Sequence, residues 1–241
     1  MVAELGGQTV VLIGGSAGIG LETARRARLD GAEVILTGRN PDRLAHAAAD
    51  VGARSTAAFD ATDTASLKGF FGELSGKVDH VMVTAGGPSY VPLLEMSAAQ
   101  VRDSLSDHVV LDLEVARAAA GVMRPDGSLV FMGGTGGRRI DHRLGIVSAA
   151  TATLPPFTAA LALELAPIRV NLIAAGFVDT PLSASLLGEG LEGRRDELRA
   201  TLPIRRVVTA ADVAALAVHL MANSALTGAT FDIDGGQQFT P

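Results

Sequence analysis

Short apolar runs alternate along this chain with longer segments in which apolar residues recur every three or four positions. The short runs are rich in β-branched residues and end at glycine clusters, as buried strands do, whereas the longer segments have the period of amphipathic helices. The predicted strands cover residues 9–13, 33–37, 55–59, 78–84, 127–132, 169–174 and 230–233. The predicted helices cover residues 21–30, 41–51, 64–74, 152–166 and 210–221, with a further long helix within 97–122.

The regular alternation of strands and helices indicates the fold class. A strand followed by a helix forms a βαβ unit, and repeated units build a parallel sheet with helices on both faces. The sequence contains no linker, internal repeat or low-complexity segment. We therefore predict a single α/β domain over residues 1–241, a doubly wound Rossmann fold with a parallel sheet of about seven strands.

Two segments depart from this pattern. Pro155 and Pro156 fall inside the helix predicted at 152–166, where proline removes a backbone hydrogen bond and disfavours helical geometry in the preceding residue. We therefore expect this helix to be kinked or to begin later. The charged, glycine-rich stretch 188–197 is predicted to be a mobile loop or short helix, within a substrate loop that spans about residues 182–199.

Composition narrows the possible functions. Hydrophobic residues make up 48% of the chain and charged residues 19%, which favours a large aliphatic core over disorder. The net charge of -6 disfavours a nucleic-acid partner. The most apolar stretch, residues 149–166, contains two prolines and a glutamate and is more typical of a buried or interface helix than of a membrane span. With no cysteine and no recognisable signal peptide, we expect a soluble cytoplasmic protein that does not bind membranes.

A glycine-rich loop, Gly14-Gly15-Ser16-Ala17-Gly18-Ile19-Gly20, joins the first predicted strand to the first predicted helix. Backbone N–H groups at a helix N-terminus favour a pyrophosphate, and glycines permit the tight turn, the close backbone approach and the packing of helix on strand. A glycine pattern alone is weak evidence, but this one lies between a strand and a helix at the start of a βαβ unit. The loop therefore predicts a dinucleotide site.

The residues after the second predicted strand decide which dinucleotide is favoured. An NAD site needs a carboxylate there for the ribose hydroxyls, and this chain has Thr37-Gly38-Arg39-Asn40 instead. Arg39 can pair with a 2′-phosphate through two charged hydrogen bonds, and Ser16 can add another. The alternative is that Arg39 is an ordinary solvated arginine. We predict NADP(H) as the cofactor.

These motifs, read together from about residue 5 to 236, resemble the short-chain dehydrogenase/reductase family. The glycine loop matches the family's cofactor loop, and the segments 162–167, 169–171, 227–228 and 234–236 match its scaffold. By this resemblance, Asp60 and Ala61 fall where the family contacts adenine, and Ala85 and Gly86 match half of its Asn-Asn-Ala-Gly turn. The segment 176–181 resembles the family's segment over the nicotinamide and phosphates, which adds Gly176, Val178 and Thr180 to the expected cofactor-binding residues.

The resemblance fails at the family's catalytic residues. Members use a Ser after the fifth strand and a Tyr and a Lys four residues apart on the next helix, with the Tyr as general acid/base. Counting from the matched segment 162–167 puts Gly134, Val147 and Thr151 at these three positions. The family's assisting Asn falls near His108. The usual mechanism is therefore not available at these positions.

Four other residues are candidates for the missing chemistry. His108 could donate a proton, because histidine exchanges protons near neutral pH, although a purely structural histidine is the more common case. Thr135, or Ser148, could orient a carbonyl, and Tyr90, the only tyrosine, could line the substrate pocket or simply pack.

The remaining sequence signals concern ions and self-association. Arg138, Arg139 and Arg143 around His142 could attract an anion or form a solvated face, and the other histidines lack metal-ligand spacing, so no metal is expected. Family members often pair through their fourth and fifth helices and last strand, so we expect a homodimer or homotetramer. The apolar stripe formed by Leu154, Phe157, Leu161 and Leu165 would supply core or interface contacts, and core is the safer interpretation.

Two functions remain open from the sequence. The first is an NADPH-dependent reductase with a divergent mechanism, acting on an unknown small molecule, for which an already activated substrate such as an iminium or a quinone would need less acid catalysis. The second is a non-catalytic NADP(H) sensor or partner subunit. Retention of the apparent substrate loop favours the enzyme.

Overall fold

The sheet at the centre of the domain is parallel throughout. A computed structural model describes residues 4–138, 140, 142 and 144–240. In this part of the chain, seven strands form the main sheet in the order β3-β2-β1-β4-β5-β6-β9, and β7 and β8 form a small second sheet. The strands are β1 (Thr9–Ile13), β2 (Glu33–Gly38), β3 (Ser55–Ala58), β4 (Val78–Val83), β5 (Met123–Gly134), β6 (Arg169–Ala175), β7 (Val178–Asp179), β8 (Val208–Thr209) and β9 (Thr230–Ile233).

Helices cover both faces of this sheet. They are α1 (Gly18–Leu29), α2 (Pro41–Val51), α3 (Thr64–Glu73), α4 (Ala98–Leu105), α5 (Leu111–Ala120), α6 (Gly145–Glu164), α7 (Pro181–Leu187), α8 (Leu191–Thr201) and α9 (Ala210–Ala222). One apolar core contains α3, α5 and α6, and the other contains α1, α2 and α9, with the buried side chains of the sheet divided between them. The predicted doubly wound α/β fold is confirmed.

The order of the strands places the glycine loop, which follows β1, beside the segment with Arg39, which follows β2. Both segments are predicted to bind the cofactor. β1 lies between β2 and β4, with Ile13 paired to Thr37 and to Val83. The chain reverses its direction of winding here, so that β2 and β3 lie on one side of β1 and β4, β5 and β6 on the other. Ligands of doubly wound folds bind at this switch point, beyond the carboxyl ends of the strands.

The prediction that α6 would begin late is wrong. The helix begins at Gly145 and is continuous to Glu164 through both Pro155 and Pro156. Both prolines are solvent-exposed, whereas Leu154 and Leu161 on the opposite face are buried in the core, and Phe157 and Leu165 pack against it. Burial of this apolar face offsets the hydrogen bonds that the prolines remove. The interpretation of the leucine stripe as core is confirmed.

Two further predictions about helices need correction. The long helix expected within 97–122 is divided, because the residues between α4 and α5, Ser106–Val110, form a π-helical turn. At 188–197, where a mobile loop or a short helix was expected, the structure has the helix, since α8 begins at Leu191. The wider segment 182–199, expected to be a loop, lies almost entirely in α7 and α8. The ion pair between Arg195 and Asp179 on β7 connects α8 to the small sheet.

The apolar character of α6 has a structural explanation. It is the one helix among the described residues that is long and apolar enough to cross a membrane, with a mean hydropathy of 1.5 in its most apolar window. Of that window, 44% is buried inside the domain. This burial, together with the two prolines, is typical of a core helix.

A buried histidine makes the stability of this fold dependent on pH. His80 lies on β4, with Nδ1 2.8 Å from the Ser128 hydroxyl and Nε2 2.5 Å from the Gln8 side chain. Burial, followed by the charge of Arg169, lowers the pKa of His80 from 6.5 to about 4. The folded state therefore resists a proton that the unfolded chain binds at about pH 6.5.

We expect the His80 contribution to stability to be complete above about pH 6.5 and to fall as the pH decreases towards 4. The free energy of unfolding should decrease by about 3 kcal/mol over this interval, at about 1.4 kcal/mol per pH unit. Urea denaturation at several pH values measures the slope, and His80→Gln should make it shallower. His46→Gln, at an exposed position, should keep the wild-type slope. Equal slopes for His80→Gln and the wild-type protein would contradict this assignment.

Candidate cofactor and active site

The glycine loop after β1 has a conformation that requires glycine at two positions. Gly14 has φ +100, and a Cβ there would lie 2.7 Å from the backbone nitrogen of Ala85. A Cβ on Gly20 would lie 2.6 Å from the Thr84 hydroxyl and would collide with the Gly14 carbonyl. The Thr84 hydroxyl itself donates to the Gly14 carbonyl at 3.0 Å. These close approaches join the loop to the start of the β4–α4 connection.

The same loop presents the N-terminus of α1. The helix begins at Gly18, three residues earlier than predicted, and Gly18 has φ +53. Its N-cap residue, Ala17, makes no side-chain capping bond, and the first turn of α1 has no acidic residue. A Cβ on Gly18 would meet only Thr180 and Pro181 among the atoms around it, at 3.6 Å and beyond. Ile19 packs partly against the core. The first backbone N–H groups of α1 are therefore available to an anion.

The end of β2 carries two arginines beside a buried serine. Ser16 is 7% exposed, and its hydroxyl accepts a hydrogen bond from Arg43 Nε at 3.3 Å. Arg39 is exposed one residue beyond β2, and Asn40 caps α2 by accepting from the Arg43 backbone N–H at 2.8 Å. Ser16 and Arg43 also line a cavity of about 280 Å³ with Leu21, Arg25, His46, Ala47 and Asp50. Ser16 and Arg43 can bind a phosphate here through a hydroxyl and a guanidinium group, and Arg39 lies in the short connection between β2 and α2.

Asp60 lies at the position expected to contact adenine. Its Oδ1 accepts hydrogen bonds from the Thr62 N–H at 3.0 Å and from the Thr62 hydroxyl at 2.8 Å. These bonds, and more weakly the charge of Arg39, lower the pKa of Asp60. The following Ala61 is 8% exposed and packs in the core. Asp60 is thus a fixed carboxylate within range of the Arg39 charge.

The far side of the site is formed by two loops and the C-terminal turn. Ala85 donates its N–H to the Ile13 carbonyl at 2.9 Å, and a Cβ on Gly86, which has φ +91, would lie 2.6 Å from the Asp107 carbonyl. Val178 pairs with Val208 and is buried, so its side chain contributes to packing.

The loop after β6 is fixed by the C-terminal turn. Gln237 Oε1 accepts from the Phe177 N–H at 2.7 Å, and it lies so close to Gly176 that any Cβ there would collide with it. Thr180 caps α7 by accepting from the Ser183 N–H at 3.2 Å. Of the residues predicted to lie over the cofactor, Thr180 is next to the glycine loop, since a Cβ built on Gly18 would be 3.6 Å from its side chain.

The three positions at which proton-transfer groups would be expected also lie together. Gly134 ends β5, and a Cβ on it would be 3.4 Å from the methyl group of Thr151 on α6. The Thr151 hydroxyl donates within its own helix, to the carbonyls of Val147 at 2.8 Å and Ser148 at 3.3 Å. Val147 is half-buried. These side chains carry no proton that they could release to a substrate.

Two buried hydroxyls lie near this point. Thr135 is 5% exposed and begins the short helical turn after β5. Ser148 is 3% exposed, and its Oγ has no hydrogen-bond partner in the described part of the chain. A Cβ on Gly136 would lie 3.6 Å from that Oγ. A buried hydroxyl without a partner costs free energy, so Ser148 is a candidate to hydrogen-bond a ligand.

His108 lies in the π-helical turn between α4 and α5 and is half-buried. Its Nδ1 lies 3.1 Å from the Ser104 carbonyl oxygen. Because a carbonyl can only accept, Nδ1 carries the hydrogen of the neutral ring and Nε2 carries the lone pair. Single π-helical turns are frequent at functional sites.

Tyr90 has a partly exposed side chain, whereas Arg138, the first arginine after β5, is held in an ion pair. Tyr90 is 42% exposed in the segment after β4, and partial burial raises the pKa of its phenol. Arg138 forms a bidentate ion pair with Asp232 on β9, at 2.5 and 2.7 Å, so it belongs to a structural contact and not to a free basic patch. Arg139 and Arg143 lie outside the described residues.

Comparisons with known proteins decide the family. Residues 14–238 match the family model described as enoyl-(acyl carrier protein) reductase. The short-chain dehydrogenase/reductase ATR9 of Stachybotrys chlorohalonatus is 30% identical over 248 residues, which cover 95% of this chain and 96% of the relative. The chain belongs to the short-chain dehydrogenase/reductase family. Members of this family are oxidoreductases that use nicotinamide cofactors, and the family resemblance stated from the sequence is confirmed.

Two further matches extend over nearly the whole of this short-chain dehydrogenase/reductase. The NADP-dependent (R)-specific alcohol dehydrogenase of Lentilactobacillus kefiri is 29% identical over 253 residues, with 98% of each chain covered. The crystal structure of BdcA in complex with NADPH superposes with a TM-score of 0.86 at 27% identity, covering 97% of this chain and 95% of that one.

Sequence reasoning about this family member missed two residues. Arg43 lies one turn into α2, and its contact with Ser16 depends on how α2 packs beside the glycine loop. The sequence signal that could have indicated Arg43 is its position four residues after Arg39. Gln237 lies 60 residues from Phe177, and no local pattern indicates that contact.

Proposed function

We propose that this chain is an NADP(H)-dependent oxidoreductase with an atypical active site. The observation that carries the proposal is the contact of Arg43 with the buried Ser16 hydroxyl, together with the exposed Arg39 that follows β2 where an NAD site would have a carboxylate. Two similar proteins, the NADP-dependent alcohol dehydrogenase of Lentilactobacillus kefiri and BdcA in its complex with NADPH, support the same cofactor.

The residues would divide the binding of the dinucleotide among them. The N-terminus of α1 at Gly18 would hold the pyrophosphate, Arg39 and Arg43 the 2′-phosphate, and Asp60 the adenine. Thr180, which lies above Gly18, would hold the nicotinamide half in place. The cofactor supplies a hydride when bound.

The candidate catalytic residues have different possible roles. Thr135 and Ser148 are buried hydroxyls that would orient a polar substrate group without giving up a proton. His108 would act as a donor only in its doubly protonated form, because Nδ1 is engaged by Ser104. Tyr90 would line the entrance to the pocket.

The second candidate function is a non-catalytic NADP(H) sensor or partner subunit. The observation in its favour is that Gly134, Val147 and Thr151 lie together without an acid/base group. NADPH absorbance with a panel of carbonyls, quinones and imines separates the two functions. If the protein turns over one of these substrates and His108→Ala or Tyr90→Phe abolishes that turnover, the result supports catalysis. Tight NADPH binding without any turnover supports the sensor.

Arg39→Ala should weaken NADPH binding and leave NADH binding nearly unchanged. Loss of a charged hydrogen-bond donor to the 2′-phosphate should raise the Kd for NADPH about 30-fold, which corresponds to about 2 kcal/mol. Isothermal titration calorimetry with both cofactors measures this. Arg54→Ala is the matched control, because Arg54 is an exposed arginine beside the other end of β2 and pairs with Glu33. Equal weakening of both cofactors by Arg39→Ala would contradict the assignment.

We also propose that the protein acts in the cytoplasm as a homodimer or homotetramer. Leu163 on α6 is 83% exposed and Val110 in the turn before α5 is 50% exposed, so each presents an apolar side chain on a helical surface. Covering such side chains favours association. Size-exclusion chromatography with light scattering tests the oligomeric state.

A further inference from the structure

The first relevant feature is the chemistry that the site cannot perform. Hydride addition to a neutral ketone creates an alkoxide, which must receive a proton. The residues at the expected donor positions are Gly134, Val147 and Thr151, and the Thr151 hydroxyl already donates to two carbonyls of its own helix. Among the described residues, Thr135 and Ser148 add hydroxyls, which can polarise a carbonyl but do not release a proton at neutral pH without a relay.

The two remaining candidate donors are poorly suited to this task. The neutral His108 ring donates from Nδ1 to the Ser104 carbonyl, so this side chain could give a proton from Nε2 only in its doubly protonated form. Tyr90 lies in the exposed segment after β4, within range of the charge of Arg194 on α8. Neither donor lies on α6, the helix that carries positions 147 and 151.

The second feature is the apolar rim of the site. Leu93 packs directly on Gly145, at the start of the helix that carries Val147 and Thr151, and is still 54% exposed. The segments that follow β4, β5 and β6 at the same edge of the sheet carry further exposed apolar side chains, namely Leu94, Ile140, Leu182, Leu186 and Ile204. Exposed apolar side chains in these segments, with Leu93 lying directly at the start of α6, favour an apolar ligand.

We propose that this site reduces an apolar cyclic iminium cation. This inference rests on the proposed NADP(H)-dependent function. In the reaction, the hydride from NADPH forms a new C–H bond at the iminium carbon, and the C=N π electrons become the nitrogen lone pair. NADPH is oxidised to NADP⁺, the cation is reduced to a neutral amine, and no proton is transferred. An apolar site favours this reaction, because charge on the substrate disappears there, and disfavours the formation of an unprotonated alkoxide.

The test compares two bicyclic probes of similar size, N-methyl dihydroisoquinolinium and α-tetralone. The first has a fixed positive charge and the second is a neutral ketone, and both are followed by NADPH absorbance with the enzyme-free rate subtracted. We expect kcat/KM for the iminium to exceed that for the ketone by about 100-fold or more. We also expect kcat for the iminium to be independent of pH between about pH 6 and pH 9, since no proton is transferred.

Several outcomes would overturn the inference. Comparable turnover of the two probes would do so, and so would a kcat for the iminium that follows an ionisation. A separate NADPH titration distinguishes this failure from failure of the proposed function. NADPH binding without turnover of either probe would overturn the iminium inference and support the sensor, whereas absence of NADPH binding would remove both proposals.

Discussion

The triple variant Gly134→Ser/Val147→Tyr/Thr151→Lys is expected to reduce α-tetralone about 100-fold faster than the wild-type protein. General acid/base catalysis by a positioned side chain contributes about this factor or more. A serine fits at position 134, because a Cβ at Gly134 would meet only ordinary contacts, the nearest being the Thr151 methyl group at 3.4 Å. Thr151 is 5% exposed, so the lysine has to extend from this buried position towards the site. Val147 is only half-buried, which leaves room for a larger ring at that position.

A second variant, Gly134→Ala/Val147→Phe/Thr151→Met, provides the control for this gain. It adds comparable bulk at the same three positions without any group that exchanges a proton. We expect it to bind NADPH as the triple variant does and to leave ketone turnover at the wild-type level. Ketone turnover that stays at the wild-type level in the Ser/Tyr/Lys variant, with NADPH still bound, would show that positions 134, 147 and 151 do not converge on the reacting carbonyl.

The hydrophobic pattern predicted the sheet and the glycine loop well, for a physical reason. Strands such as β1 and β9 have glycines close to their ends, so the apolar run and the nearby glycines indicate the same strand boundaries. Residues 230–233 were predicted with their observed bounds. The glycine spacing reflects contacts within a few residues of the loop and with the adjacent strand end. Gly14 and Gly20 cannot carry a side chain in this arrangement, and this requirement is visible in the sequence.

The features that sequence reasoning missed depend on tertiary contacts. Local rules predict that Pro155 and Pro156 disrupt a helix, but burial of Leu154 and Leu161 on the opposite face stabilises α6 throughout. The π-helical turn that holds His108 likewise has no signature in the apolar period. Arg43 belongs to the cofactor corner only because α2 packs beside the loop that contains Ser16.

The cofactor-binding part and the catalytic part of the site depend on different features of the chain. The binding half uses backbone N–H groups, glycine conformations and the contact between Phe177 and Gln237, which the fold itself supplies. The chemical half depends on a few side chains at the ends of β5 and α6, which can change without loss of the fold. A Rossmann scaffold with an intact loop at Gly14 is therefore evidence for binding, and the reaction has to be argued from Gly134, Val147 and Thr151.

Arg169 is the residue whose replacement should affect stability most. It begins β6 and is 7% exposed, and its guanidinium donates to backbone carbonyls at and beyond the C-terminal end of α9. The acceptors are Leu220 at 2.7 Å, Met221 at 2.7 Å, Asn223 at 3.0 Å and Leu226 at 3.3 Å. Burial lowers the pKa of Arg169, but arginine remains charged at neutral pH. The cation thus satisfies carbonyls that have no partner within the helix and lies at the favourable end of its dipole.

Arg169→Met is expected to lower the free energy of unfolding by about 4 kcal/mol, because it removes charged hydrogen bonds and leaves the carbonyls of Leu220 and Met221 without a donor. Guanidinium denaturation at neutral pH measures the loss. Arg169→Lys, which keeps the charge but not the planar fork, should lose about half as much. Arg54→Met, at an exposed ion pair, should cost less than about 1 kcal/mol. Since α9 packs on α1, which begins at the cofactor loop, saturating NADPH should restore part of the lost stability by binding only the folded state. A loss for Arg169→Met no larger than that for Arg54→Met would show that the hydrogen bonds at the end of α9 do not stabilise the fold.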